Sequence, residues 1–294
     1  SRGLGDVYKR QTYHSANGRL MCHYCGHSEP AYDRCPQCGG IMKHIGTGTQ
    51  KVEEELHALF PGAKVLRMDT DTVGASHGHE KLLRQFEEEK IPILLGTQMV
   101  AKGLDFENVT LVGVLCADAS LYIDNYRAPE RTFSLLSQVV GRAGRGSKQG
   151  RAIIQTFTPE NEVIRAAAAQ DYDAFYESEI RMRRLRRYPP FADLFSFTVT
   201  GADESRVIRA AKALRDALGY AVEWREELKP LSIEVLGPAG ASVVKVNNRY
   251  RYRVFLVGKG CPALRRLVAE YLYAFYQHKE NRGLDIFADC NAIQ

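Results

Sequence analysis

Four cysteines stand within 17 residues as two Cys-x-x-Cys pairs, Cys22/Cys25 and Cys35/Cys38. Two residues between thiols let one tight turn present both sulfurs to a single ion. The glycines that follow, Gly26 and Gly39, let backbone N–H groups approach the sulfurs. Four thiolates complete a tetrahedral shell, so structural Zn²⁺ is the expected cofactor of these residues. A closed shell leaves no position for water, which sets aside a zinc-dependent hydrolase. The total of seven cysteines is odd and the clustered ones are paired by spacing, which favours a metal site in a reducing compartment over a disulfide framework. Redox chemistry of the thioredoxin type fits poorly, because the pairs lie outside any strand-to-helix context. His23 and His27 read as bystanders.

A second group is Gln138-Val-Val-Gly141-Arg142-Ala-Gly144-Arg145-Gly146. Two arginines three apart, separated by small residues at a helix end, can both reach one polyanion. Each guanidinium offers a planar, permanently charged fork that suits a phosphoryl oxygen, the chemistry of an arginine finger. A third group runs from 95 to 106 and holds Thr97, Gln98, Lys102, Gly103 and Asp105 after a short apolar run. In an open parallel sheet, ligands bind at the carboxyl ends of strands. The fourth is Lys245 with Arg249, Arg251 and Arg253. On a strand these three arginines share one face and alternate with Tyr250 and Tyr252, a pattern that suits nucleic acid. The run RMRRLRR at 181–187 reads equally well as phosphate contacts or as a solvated helix face.

The elements that must position these groups follow from periodicity. Val52, Leu56, Leu59 and Phe60 fall on one helical face, closed by Pro61-Gly62. Residues 64–68 read as a strand and 79–89 as an amphipathic helix. Runs at 91–95 and 109–116 read as strands buried on both faces. Residues 128–140 read as a helix and 151–157 as a strand. Alternating strands and helices predict an α/β fold with a parallel sheet. Residues 160–187 read as one long helix, broken by Tyr188-Pro-Pro-Phe191. Beyond it, strands at 194–200, 232–236, 249–257 and 284–288 and helices at 204–218 and 261–276 predict a smaller α+β domain.

A chain of 294 residues allows about two domains plus a small module. With 45% hydrophobic and 26% charged residues it can bury a core, which excludes wholesale disorder. No apolar run approaches the roughly 20 residues of a membrane helix, and no signal segment is visible, so a cytoplasmic protein is expected. The net charge of +5 is mild. The first 160 residues hold 19 basic and 18 acidic side chains, the remainder 21 and 17, so the excess sits late in the chain. The expected divisions are a non-native or disordered tail at 1–11, a Cys-rich zinc module at 12–45, an α/β lobe at 46–160, a connecting helix at 161–187 and the α+β domain at 188–294.

Gln-x-x-Gly-Arg-x-Gly-Arg, preceded by Gly96-Thr-Gln-Met-x-x-Lys-Gly-x-Asp-Phe106, resembles motifs V and VI of superfamily 2 helicases. The stretch 93–150, with Tyr126-Arg-Ala-Pro-Glu-Arg131, is similar more narrowly to the primosomal protein N′ (PriA) family of replication-restart helicases. The cysteine pairs before Gly46-Thr-Gly-Thr-Gln50, and Tyr188-Pro-Pro-Phe191 and Gly237-Pro238 later, extend that resemblance. It implies a second RecA-like lobe at 46–160 within an enzyme that unwinds DNA 3′ to 5′ with ATP and Mg²⁺, recognises stalled forks and promotes primosome assembly. Arg142 and Arg145 would reach toward ATP, and Gln138 would link the nucleotide to the strand-gripping side of the lobe. Gly103 and Asp105 would face the nucleotide, and Thr97 and Gln98 the DNA backbone. The C-terminal domain would help bind branched DNA and single-strand-binding protein.

The departures from that family are equally concrete. These 294 residues contain no Gly-x-x-x-x-Gly-Lys-Ser/Thr phosphate loop, so this chain by itself is expected not to hydrolyse ATP. The family carries four Cys-x-x-Cys pairs with interleaved ligation of two zinc ions. Cys22/Cys25 match the third pair and Cys35/Cys38 the fourth, leaving either one zinc held by all four thiolates or two half-sites. The competing reading is a non-enzymatic zinc-ribbon module that binds nucleic acid or acts as a scaffold. Two arginines at finger spacing count against it.

Overall fold

The computed structural model describes residues 12–14, 19–21, 28–30, 32–34, 39–40, 48–68, 78–97, 109–123, 125–141 and 150–292. The stretch expected as a tail, 1–11, lies outside them. The described residues fall into two compact units. One draws on 43–122 and 127–178, the other on 1–42, 123–126 and 179–294.

In the first unit, β4 (Val65–Met68) pairs in parallel with β5 (Ile93–Gly96), and β6 (Leu111–Val114) in parallel with β7 (Arg151–Ile154). The expected parallel α/β texture is therefore present, as two parallel pairs among the described residues. Helices α1 (Thr49–Leu59) and α2 (Gly78–Glu88) flank β4 in sequence. The expected apolar face of α1 is only partly covered. Val52 and Leu56 are half-buried, whereas Leu59 is 71% exposed and Phe60 is exposed with it. The expectation that 109–116 is buried on both faces also fails. Leu111, Leu115 and Ile153 are exposed, because the described packing of β6 and β7 is one-sided: Val114 and Ile154 turn inward against α3 (Asp118–Leu121) and α4 (Ala128–Val140), while the alternate residues turn out.

α4 forms where the sequence predicts it. Pro129 in the first turn supplies a preset φ at a position that needs no N–H partner, and Glu130 complements the helix dipole there. Thr132, Phe133 and Leu136 recur at helical spacing and are buried. The expected long helix at 160–187 is two helices, α5 (Glu162–Ala169) and α6 (Tyr172–Leu185). Gln170 takes a left-handed conformation at φ 55°, and the Asp171 carboxylate accepts the Ala174 N–H, an N-cap that starts a new helix. Neither helix reads as a mere connector at its start. Ile164, Ala167 and Phe175 pack on Phe133 and Leu136, and the Phe133 and Phe175 rings stack at 4.2 Å.

The C-terminal part of the second unit is built on a four-stranded antiparallel sheet. Its strands are β8 (Asp193–Gly201), β9 (Glu234–Val246), β10 (Arg249–Gly258) and β11 (Asp285–Cys290), in the order β11-β8-β10-β9. Helix α7 (Glu204–Trp224) joins β8 to β9, and α8 (Pro262–Gln277) joins β10 to β11. The β-α-β-β-α-β order with these neighbours is the ferredoxin-like arrangement. Phe195, Phe197 and Val199 of β8 and Val254 and Leu256 of β10 face α7 and α8 in the main core. The opposite face carries Leu194, Phe255 and Val257 in a smaller cluster with Ala192 and Tyr126. Tyr126 is a core residue of this unit although only Arg127 separates it from the start of α4. At Gly237, φ is +99° and a Cβ would approach the Arg253 carbonyl oxygen to 2.8 Å, so only glycine fits beside β10 there. Ahead of these elements, β1 (Thr12–His14), β2 (Arg19–Met21) and β3 (Ser28–Pro30) form a three-stranded antiparallel sheet.

Candidate functional site

The carboxyl end of α4 leads, in sequence, into the arginine motif. Gln138 is exposed in the last turn, and its Nε2 donates to Ser134 Oγ at 3.2 Å. Gly141 follows as the C-cap, its N–H donating to the Ser137 carbonyl at 3.0 Å. The side-chain amide of Gln170 also reaches that carbonyl, at 3.4 Å. A Cβ at position 141 would stand 3.1 Å from Gln170 Nε2 and 3.2 Å from Ser137 O, so glycine lets the helix end close against the α5–α6 turn. Arg142 and Arg145 come next in the chain and lie outside the described residues, as do Gly103 and Asp105. Thr97 is exposed just past the end of β5, and Gln98 lies outside the described residues.

Asp118 was not singled out by the sequence reading, yet it organises the carboxyl ends of β6 and β7. Only 1% exposed, it accepts the Phe157 N–H at 2.9 Å and the Thr158 hydroxyl at 2.9 Å. Burial pushes its carboxyl up, but these hydrogen bonds and a further one from Thr156 together outweigh burial and hold it below the usual aspartate range. The signal was available: Asp118 is the one acid that follows the apolar run 109–117. Gln170 carried a fainter signal, as a polar break between an alanine run and an N-capping aspartate.

In the second unit, the three strand arginines do share a face, set by the β10–β8 register in which Arg251 opposes Thr200 and Arg253 opposes Thr198. Their environments differ. Lys245 is exposed, its Nζ 4.9 Å from the centre of the Tyr250 ring. Arg249 is half-buried, donates to Thr200 O and Oγ1 at 3.3 Å and pairs with Asp285. Arg251 is half-buried. Arg253 is only 9% exposed, so its guanidinium has little surface to offer a phosphate. The tyrosines take the other face. Tyr252 donates to Glu204 at 2.8 Å, and burial together with that carboxylate raises its phenol above the ordinary range.

The run 181–187 fits neither expected reading fully. Arg183 pairs with Glu179 at 2.8 Å with both side chains largely buried, and lies over the Tyr126 ring. Arg184 lies over Phe191, and Arg187 donates to Ser232 O at 2.7 Å. These cations are spent on internal contacts. The metal candidates Cys22, Cys25, Cys35 and Cys38 lie outside the described residues; in sequence the first pair falls between β2 and β3. Among the described residues no cluster of ligating side chains could hold a metal ion, and no helix is long and apolar enough to cross a membrane.

Residues 45–147, which hold α1 to α4 and, in sequence, Gln138-x-x-Gly141-Arg142-x-Gly144-Arg145, match the helicase conserved C-terminal domain. Residues 184–291 match the primosomal protein N C-terminal domain, and 9–30 match the PriA DNA helicase Cys-rich region. The chain belongs to the PriA family and carries these three of its domains. It is 42% identical to the replication restart protein PriA of Bacillus subtilis over 95% of its own length and 34% of that protein. Identity to PriA of Synechocystis is 40% over 85% of this chain and 30% of the relative, and to PriA of Treponema pallidum 37% over 90% and 39%. The chain thus spans about a third of the length of the curated relatives it matches. The Cys-rich match begins at residue 9, inside the stretch expected as a tail, and covers Cys22 and Cys25.

Proposed function

We propose that this chain is the arginine-bearing part of an ATP-dependent DNA helicase that restarts replication at stalled forks. The observation that carries the reading is the Gln138–Arg145 motif at the end of α4, inside a helicase C-terminal domain match that runs from 45 to 147. Arg142 and Arg145 stabilise charge developing on the transferring γ-phosphoryl group of ATP held with Mg²⁺ by a phosphate-loop lobe. Gln138, exposed on the last turn, links that nucleotide to the DNA-gripping side, with Gly103 and Asp105 at the nucleotide and Thr97 and Gln98 at the DNA backbone. In the C-terminal unit the exposed or half-buried cations Lys245, Arg249 and Arg251 meet DNA phosphates, and Arg253 supports the sheet from within. Branched DNA and single-strand-binding protein are the partners, and the cytoplasm is the compartment. The units serve as lobe and C-terminal domain, with the Cys-rich module before them.

Strand separation tests this reading. Joined to a phosphate-loop lobe, the chain unwinds a forked duplex 3′ to 5′ when ATP is supplied. No unwinding by a folded, ATP-binding fusion would contradict it.

Structural zinc belongs to the same proposal. Cys22, Cys25, Cys35 and Cys38 offer four thiolates, the donor set of a closed tetrahedral site. Metal analysis of the purified chain is expected to find about one zinc per chain, as a shell of four thiolates requires. None would show the pairs to be orphaned.

A further inference from the structure

An open cavity of about 450 Å³ lies in the C-terminal unit where α8 ends and β11 begins. Tyr276, His278, Lys279, Asn281, Arg282 and Asp285 are among its lining residues. The charge balance is lopsided. Asp285 is already paired with Arg249. Lys279, Arg282 and His278 have no side-chain hydrogen bond or ion pair among the described residues. Glu280 is the adjacent acid, and it is not part of the lining.

The turn that presents these cations is braced before any ligand arrives. Arg206 of α7 donates to the carbonyls of Glu280 at 3.1 Å and Arg282 at 2.7 Å. Asn281 Nδ2 donates to Phe275 O at 2.8 Å, and the Asn281, Arg282 and Leu284 N–H groups close successive turns. Gly283, at φ +84°, lets the chain reverse into β11. The aromatic wall is fixed too. Tyr276 is 57% exposed, yet its hydroxyl exchanges hydrogen bonds with both Ile286 N–H and Ile286 O. An exposed ring held by its hydroxyl, beside uncompensated cations, is the arrangement that stacks a base and holds its phosphates.

We propose that this cavity is a nucleotide subsite for single-stranded DNA, with a base against Tyr276 and the flanking phosphates on Lys279 and Arg282. The Arg249–Asp285 pair joins its rim to β10, and Asp285 and Arg251 both stand opposite Thr200, so the subsite continues the Arg249–Arg251 face. The inference rests on the reading of the chain as part of a DNA-handling enzyme and adds a separate place on the C-terminal unit where the strand is gripped.

The test is the anisotropy of a labelled oligothymidylate titrated with the 294-residue chain over a range of salt. The double variant Lys279→Gln/Arg282→Gln should bind more weakly, with the slope of log K against log salt shallower by about 1.4, two contacts at ~0.7 each. Tyr276→Leu should weaken binding roughly tenfold with little change in slope, because stacking releases no counterions. Arg251→Gln serves as the control for the strand face. Wild-type affinity and slope in the double variant would overturn the subsite while leaving the helicase reading intact. No binding by the wild-type chain would overturn both. Thymidine monophosphate is the second arm: if it binds as tightly as the oligonucleotide, the cavity takes a free nucleotide and the strand assignment is wrong.

Discussion

Asp118 shows how a single buried charge can be favourable. Its carboxylate leaves water, but Phe157 N–H and the Thr158 and Thr156 hydroxyls replace the lost solvation. Asp118→Ala removes the acceptor and strands the Phe157 N–H, so urea unfolding at neutral pH should show a loss of about 1–3 kcal/mol. The sign of the pH dependence follows from the lowered carboxyl. The unfolded aspartate titrates near ~3.9. The contribution is therefore complete above that value and fades as pH falls through the still lower folded pKa. Asp118→Asn should flatten this acid limb. An unchanged acid limb in that variant would show the carboxylate to be idle. The residue scale is also where sequence reasoning overreached. Alternation put Arg249, Arg251 and Arg253 on one face, which the register bears out. It could not tell that Arg253 is only 9% exposed, because burial on that face depends on distant residues: Phe255 and Val257, next along the same face, cluster with Tyr126, more than a hundred residues upstream.

Helix α4 was legible in the sequence from Ala128 to Val140, since Pro129, Glu130 and the spacing of Thr132, Phe133 and Leu136 all agree locally. The split of α5 from α6 was not legible. It depends on one residue adopting a left-handed conformation, stabilised by the Asp171 cap and by Gln170 packing against Gly141. That contact joins residues far apart in sequence, and no helical period reports it. The stacked Phe133–Phe175 pair ties α4 to α6 in the same way. Phe133→Ala should destabilise this unit by about 3–5 kcal/mol in urea unfolding, the cost of a large core cavity. A loss below about 1 kcal/mol would mean that the α4 core is not the support of the arginine motif described above.

At the scale of the molecule, the fold class and the smaller C-terminal domain followed from alternating elements and the break at 188–191. The ferredoxin-like order β11-β8-β10-β9 did not, because strand order is decided by long-range pairing. The late excess of positive charge acquires a location in Lys245, Arg251, Lys279 and Arg282, all on one unit. The central claim is that Arg142 and Arg145 act on a nucleotide whose phosphate loop is not among these 294 residues. DNA-stimulated ATP hydrolysis tests it most directly, measured on the chain alone and on the chain joined to a phosphate-loop lobe. The account predicts no turnover by the chain alone, and turnover by the fusion that falls about 10³-fold or more in Arg142→Ala or Arg145→Ala with ATP still bound. DNA-stimulated turnover by the chain alone, or full activity in both arginine variants, would contradict it.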